Sequence, residues 1–179
     1  MRELLLLRHG KSDWSVAVDD FDRPLKPRGQ LGAARIGGWL KRNRLLPDVV
    51  VSSPAVRARE TAKLCVDVLG PKSERLDIHF DARLYHAESD DFEPILRALP
   101  NPAQRILLVG HNFGMEDFLL NQCSAPPARR PDGKLLTTAT LARLGYPRGT
   151  ALGTPGSAQL LALIRARDLP DADDYKVLK

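Results

Sequence analysis

Short unbroken apolar runs alternate along this chain with longer stretches of helical spacing, and the alternation predicts a fold before any chemistry is considered. Leu4 to Leu7 is too short to span a membrane and too hydrophobic for a surface loop, so it reads as a strand buried on both faces of a sheet. In residues 28 to 43, Leu31, Ala34 and Gly38, flanked by Ala33, Ile36 and Leu40, recur at helical spacing. This is the first crossover helix, and its Gly32, Gly37 and Gly38 lower helix propensity while permitting close packing on a sheet. Val49 to Val51 is a β-branched run and a second buried strand. Ser53 before Pro54 predicts a helix start, serine as N-cap and proline at the first helical position, with the helix running to Leu69 before Gly70-Pro71.

The alternation continues to the end of the chain. Residues 76 to 80 read as a short strand with a structural His79, 82 to 88 as a loop, and Ser89 to Leu99 as a helix stopped by Pro100-Asn101-Pro102. Ile106 to Val109 is a third apolar strand, followed by a helix from about Gly114 to Gln122. Ser124 to Gly133 reads as a surface loop, 137 to 144 and 159 to 164 as an antiparallel strand pair at one edge, and the charged tail from Asp168 as peripheral. The pattern predicts an α/β fold: a three-layer α/β/α sandwich with a mainly parallel sheet of about six strands and helices on both faces, in one domain over residues 1–179. The polar segment Lys11 to Asp22, with Trp14 and Phe21 as its expected anchors, is a connecting loop long enough to line a site.

Composition narrows the partners. The net charge of +5 and pI of about 9.5 are compatible with nucleic acid. The basic residues are dispersed, however, and only 6% of residues are aromatic, so no basic-aromatic stripe exists. The charge reads instead as a bias towards anionic substrates. Cys65 and Cys123 lie far apart in helical stretches without a neighbouring Cys or His at ligand spacing, which predicts free buried thiols in a reducing compartment rather than a disulfide or zinc. One arginine and four leucines before Arg8 are too little for a signal peptide or membrane anchor, so the expected location is the cytoplasm.

Candidate chemistry sits where strands end. Right-handed crossovers put all parallel carboxyl ends on one edge, which is where ligands bind in open α/β sheets. That edge should gather Arg8 and His9, Arg57 on its helix, and His111. Gly10 lets the backbone turn sharply or approach a ligand closely. Two arginines supply planar forks for phosphoryl oxygens, and two histidines can divide attack on phosphorus from oxyanion stabilisation. Blander readings stand beside this one: Arg8-His9 as a strand end facing water, and Arg57 as the surface partner of Glu60. A cation in the first turn of a helix opposes the macrodipole, and a local rule broken beside a strand end is where function is expected.

Together, Arg8-His9-Gly10, Ser52-Ser53-Pro54 with Arg57-Ala58 and Thr61-Ala62, and Gly110-His111-Asn112 resemble the motif set of the histidine phosphatase superfamily, the phosphoglycerate mutase-like fold. Lys11-Ser12-Asp13-Trp14 and Arg23-Pro24-Leu25 in a compact chain are similar to its SixA-type phosphohistidine phosphatases. The resemblance implies that His9 is the phosphorylated nucleophile, that Arg8 and Arg57 hold the phosphate with Ser12 as a further substrate contact, and that His111 completes the pocket, with no metal and no cofactor. Larger members carry an acidic proton donor in a Leu-x-Glu stretch. Here that stretch is Leu84-Tyr85-His86, so His86 is either a substitute donor or a surface residue. The roughly 50 residues between Arg57 and His111 leave no room for a lid, and an open site favours a phosphorylated protein as substrate. The competing readings are a small-molecule phosphomonoesterase and a phosphate-binding module without turnover. No nucleic-acid or membrane partner is expected.

Overall fold

The structure, a computed structural model, describes residues 1–70, 76–99, 103–129 and 131–170. Pro71, the Pro100-Asn101-Pro102 stop and the tail beyond residue 170 lie outside the described residues. Strand β1 (Arg2–Arg8) has every one of its four leucines fully buried. Successive side chains of a strand point to opposite faces, and here Leu4 and Leu6 enter one core while Leu5 and Leu7 enter the other. Burying each leucine contributes roughly 1.5 to 3 kcal/mol, so the strand leading into the site is held firmly from both sides.

The core that takes Leu5 and Leu7 packs against α1 (Pro27–Arg42) and α2 (Val56–Asp67) through Ile36, Leu40, Ala58 and Cys65. The core that takes Leu4 and Leu6 packs against α3 (Phe92–Arg97) and α4 (Gly114–Gln122) through Ile95, Met115 and a stacked Phe92–Phe118 pair. Between them lies one six-stranded sheet. It adds β2 (Val49–Ser52), β3 (Ile78–Phe80), β4 (Arg105–Gly110), β5 (Thr140–Tyr146) and β6 (Gln159–Arg165) in the order β3-β2-β4-β1-β5-β6. β1, β2, β3 and β4 run parallel; β5 and β6 close one edge antiparallel. The expected layers, sheet and edge pair are therefore present. No helix among the described residues is long and apolar enough to cross a membrane.

The register of β1 against β4 decides the position of the site. Leu7 pairs with Val109 and Arg8 with Gly110, and the His9 amide donates to the Gly110 carbonyl at 3.1 Å. The two strand-end histidines thus leave adjacent parallel strands at the same level.

Several local expectations are corrected. Ser53 is not an N-cap: α2 starts at Val56 with Ala55 as its cap residue, because the Ser53 hydroxyl is committed elsewhere in the site. The 89–99 helix is a short 3-10 turn over Ser89–Asp91 and then α3, with the Glu88 amide held by the Asp91 carboxylate at 2.8 Å. β5 begins at Thr140 rather than 137, since Ala139 adopts a positive φ of 52° and turns its amide onto the carbonyls of Arg8 and His9. Gly37 allows a helix–helix contact rather than a helix–sheet one, as a side chain there would strike the Cys65 carbonyl of α2. His79, expected to be structural, lies exposed on edge strand β3. Cys123 follows α4 rather than lying within it and is only half-buried, whereas Cys65 is buried; both thiols are free.

Candidate active site

His9 sits just past β1, buried, in a turn whose geometry depends on glycine. A Cβ at Gly10 would lie 2.5 Å from the Gly29 carbonyl oxygen, so only hydrogen fits between the turn and the start of α1. The Gly10 amide donates to Thr61 Oγ1 at 2.9 Å, and the Thr61 hydroxyl donates to the Arg57 carbonyl at 2.7 Å. One fully buried threonine therefore ties the His9 turn to the first turns of α2. His9 Nδ1 lies 2.7 Å from the Gly10 carbonyl. A carbonyl only accepts, so in the neutral ring Nδ1 bears the proton and Nε2 keeps its lone pair. Burial first, then the neighbouring His111, Arg57 and Arg8, holds the His9 pKa well below 6.5, against the Gly10 carbonyl acting the other way.

His111 follows β4, its ring centroid 5.0 Å from that of His9. Nε2 is 2.8 Å from the Ser53 hydroxyl oxygen, which also accepts the Ala55 amide at 3.3 Å. Nδ1 is buried with no hydrogen-bond partner among the described residues, a polar position that a ligand oxygen can fill. Burial, then Arg57, His86 and Arg8, pushes the His111 pKa down to about 3. Both imidazoles are neutral at neutral pH.

The arginines flank this pair. Arg8 donates from Nη1 to the Leu136 carbonyl at 2.6 Å, while its buried Nε has no partner. The same carbonyl accepts from Asn112 at 3.1 Å, and Glu116 accepts the Leu136 amide at 3.0 Å, fixing the wall behind Arg8. Arg57 is buried and does not pair with Glu60, which instead accepts the Leu25 amide at 2.7 Å. Its fork holds Asp20: Nη1 donates to the Asp20 carbonyl at 2.5 Å and Nη2 to the carboxylate at 2.9 Å. Arg23, also buried, pairs with the other carboxylate oxygen, and the Tyr85 hydroxyl donates to the first at 2.9 Å. Tyr85 then contacts His111 edge-on at 5.7 Å.

The structure thus brings Arg8, His9, Arg57 and His111 together, and adjoins His86 to them. His86, exposed at φ 61°, lies tilted against the Tyr85 ring with centroids 3.9 Å apart and opens onto a cleft of about 520 Å³ shared with Asn112 and Phe113. Ser12 is buried in a backbone bridge with Leu25, and its side chain has no hydrogen bond to any of the four. Trp14 does not anchor its loop in the core: it is 70% exposed and covers the Arg23 guanidinium at 3.3 Å. Sequence reasoning missed Asp20, Arg23 and Tyr85 as members of the constellation. Asp20 and Arg23 share a polar loop with several other charges, and only contact singles them out. No group of three His, Cys, Asp or Glu fit for a metal occurs among the described residues.

Known proteins resemble this chain in sequence and in fold. An uncharacterised chloroplastic protein of Arabidopsis thaliana is 32% identical over 124 residues, 65% of this chain and 56% of that protein. Phosphoglycerate mutase 1 of Saccharomyces cerevisiae is 37% identical over 79 residues, 42% of this chain and 30% of that one. The matching stretch spans about half the length of the first of these curated relatives. Among solved structures, a candidate phosphohistidine phosphatase SixA from Nakamurella multipartitia superposes with a TM-score of 0.75 at 28% identity, over 92% of this chain and 95% of that one. Another from Agrobacterium tumefaciens gives 0.72 at 27%, over 91% and 97%. Residues 4–96, just over half of the chain and including Arg8, His9 and Arg57, match the model of the histidine phosphatase superfamily, branch 1, so the chain belongs to that superfamily and is SixA-type within it.

Proposed function

We propose that the chain is a metal-independent phosphatase that forms a phosphohistidine on His9 and acts on phosphohistidine proteins. The observation that carries the reading is the His9–Gly10 hydrogen bond, which leaves a neutral Nε2 lone pair beside two arginines and the orphaned His111 Nδ1. Nε2 attacks phosphorus as the bond to the leaving nitrogen or oxygen breaks; water then attacks the phosphoenzyme, giving inorganic phosphate and restoring His9. Arg8 and Arg57 hold the non-bridging oxygens. A Ser53 hydroxyl donating to His111 Nε2 puts the ring proton on Nδ1, from which it reaches the phosphoryl oxygen.

The substrate class rests on the leaving group. The carboxylate on Arg57, Asp20, already accepts from Arg57, Arg23 and Tyr85, so it is an acceptor and not a proton donor. An alkoxide needs a positioned acid, worth roughly 100-fold to 10,000-fold; an imidazole leaves more readily because solvent protonates it near its ordinary pKa of about 6.5. An open rim with Trp14 and an 83% exposed Phe113 also suits a protein surface. His86 beside Tyr85 keeps a small phosphomonoester as the second reading. The test is kcat/KM on a phosphohistidine carrier protein and on alkyl phosphates, with rapid acid-free trapping of phosphoenzyme. A preference of at least roughly 100-fold for the carrier and loss of label in His9→Ala are expected; equal efficiency, or labelling of His9→Ala at the wild-type rate, overturns the reading.

A further inference from the structure

The basic residues look dispersed in sequence, yet four of them surround one cleft of about 270 Å³ beside the site. Lys11 comes from the turn after His9, Arg28 and Arg35 from α1, and Arg167 from the 3-10 turn after β6. Thr137 and Thr138 add hydroxyl donors, and no carboxylate or aromatic ring is among the lining residues. Neither Lys11 nor Arg28 has an ion pair among the described residues. Arg167 has one, a 3.7 Å contact with its chain neighbour Asp168 in which both side chains are 55% exposed, and such a contact contributes little.

The cleft lies at the catalytic edge. Its wall includes Ala139, whose amide donates to the carbonyls of Arg8 at 3.1 Å and His9 at 3.0 Å. Lys11 is two residues from His9, a reach of at most about 7 Å along the chain. Four cations drawn from three segments exceed what one oxyanion needs, and without an aromatic platform the cleft does not suit single-stranded nucleic acid.

We infer that this cleft is a docking subsite for acidic side chains that flank the phosphohistidine of a protein substrate. The inference rests on the phosphohistidine-protein reading above and adds how such a protein is oriented: its carboxylates engage Arg28 and Arg167 while its phosphoryl group enters between Arg8 and Arg57. Charge complementarity of this kind governs encounter and register, and it weakens with salt.

Arg28 and Arg167 are exposed, so Arg28→Ala/Arg167→Ala should fold normally. A fluorescein-labelled hexaglutamate peptide is titrated into wild type and the double variant, with orthovanadate saturating the catalytic pocket. Saturable binding to wild type, weakened roughly tenfold or more in the variant (about 1.4 kcal/mol) and restored by Arg28→Lys/Arg167→Lys, is expected, with vanadate affinity unchanged. In turnover, KM for an acidic phosphohistidine carrier should rise while kinetics on free phosphohistidine stay as in wild type. If the chain hydrolyses no phosphohistidine protein, the proposed function fails while the peptide titration still decides on the cleft. Absent peptide binding, equal binding to both proteins, or a parallel loss of vanadate affinity overturns the docking subsite.

Discussion

Thr61 holds the amide of Gly10 through a 2.9 Å hydrogen bond and thereby fixes the distance between the strand that carries His9 and the helix that carries Arg57. Valine has nearly the same shape and neither accepts nor donates. Thr61→Val leaves the Gly10 amide buried and unpaired, a cost of about 1 to 3 kcal/mol. Urea unfolding should show that loss, and kcat/KM should fall with it, while Thr61→Ser keeps both near wild type. A Thr61→Val protein with unchanged unfolding and turnover would remove the clamp from the account.

Arg57 acts through a planar fork that grips the Asp20 carbonyl and carboxylate at once. Lysine offers one point charge and cannot span both groups and a phosphoryl oxygen. Arg57→Lys should lower kcat/KM and weaken orthovanadate binding, read by inhibition. Equal vanadate affinity in variant and wild type would place Arg57 outside the phosphate pocket.

His86 occupies the position of the expected carboxylic acid and lies against the ring of Tyr85, which touches His111. If it donates a proton, His86→Ala abolishes alkyl phosphate turnover and spares phosphohistidine. On the reading favoured above, His86→Ala costs less than His9→Ala on either substrate. Comparing the two variants on both substrates separates the cases.

Burial and the nearby cations keep His9 and His111 neutral well below the ordinary imidazole range, His111 down to about 3. Nitrogen-15 shifts of both rings should stay flat from pH 8 to about 5, below the unperturbed value of about 6.5; a midpoint near that value for either ring contradicts the geometry. For His111, the unfolded chain takes up a proton near pH 6.5 and the folded chain does not until about 3. Its contribution to stability is therefore complete above pH 6.5 and is lost as pH falls towards 3. The unfolding free energy should rise with pH in that window, with a slope reduced by about one proton in His111→Ala.

Chelation should leave turnover intact, since no metal-binding group exists among the described residues and the arginine forks can carry the phosphoryl charge. Activity lost in EDTA and restored by magnesium would count against the entire mechanism.

The sequence by itself determined which segments become strands, because Leu4 to Leu7, Val49 to Val51 and Ile106 to Val109 are apolar on both faces and nothing but a sheet covered on two sides buries them. It also determined that Arg8, His9, Arg57 and His111 lie at one edge, since right-handed crossovers align parallel carboxyl ends. Tertiary structure alone decided that β1 and β4 are neighbours in a register that sets His9 beside His111. That choice depends on how the helices fill the two faces, which periodicity does not encode. It decided too that Ser53 serves His111 rather than capping α2, and that Asp20, Arg23 and Tyr85 converge on Arg57. A polar side chain can satisfy its hydrogen bonds locally or across the fold, and only the positions of distant segments select between the two.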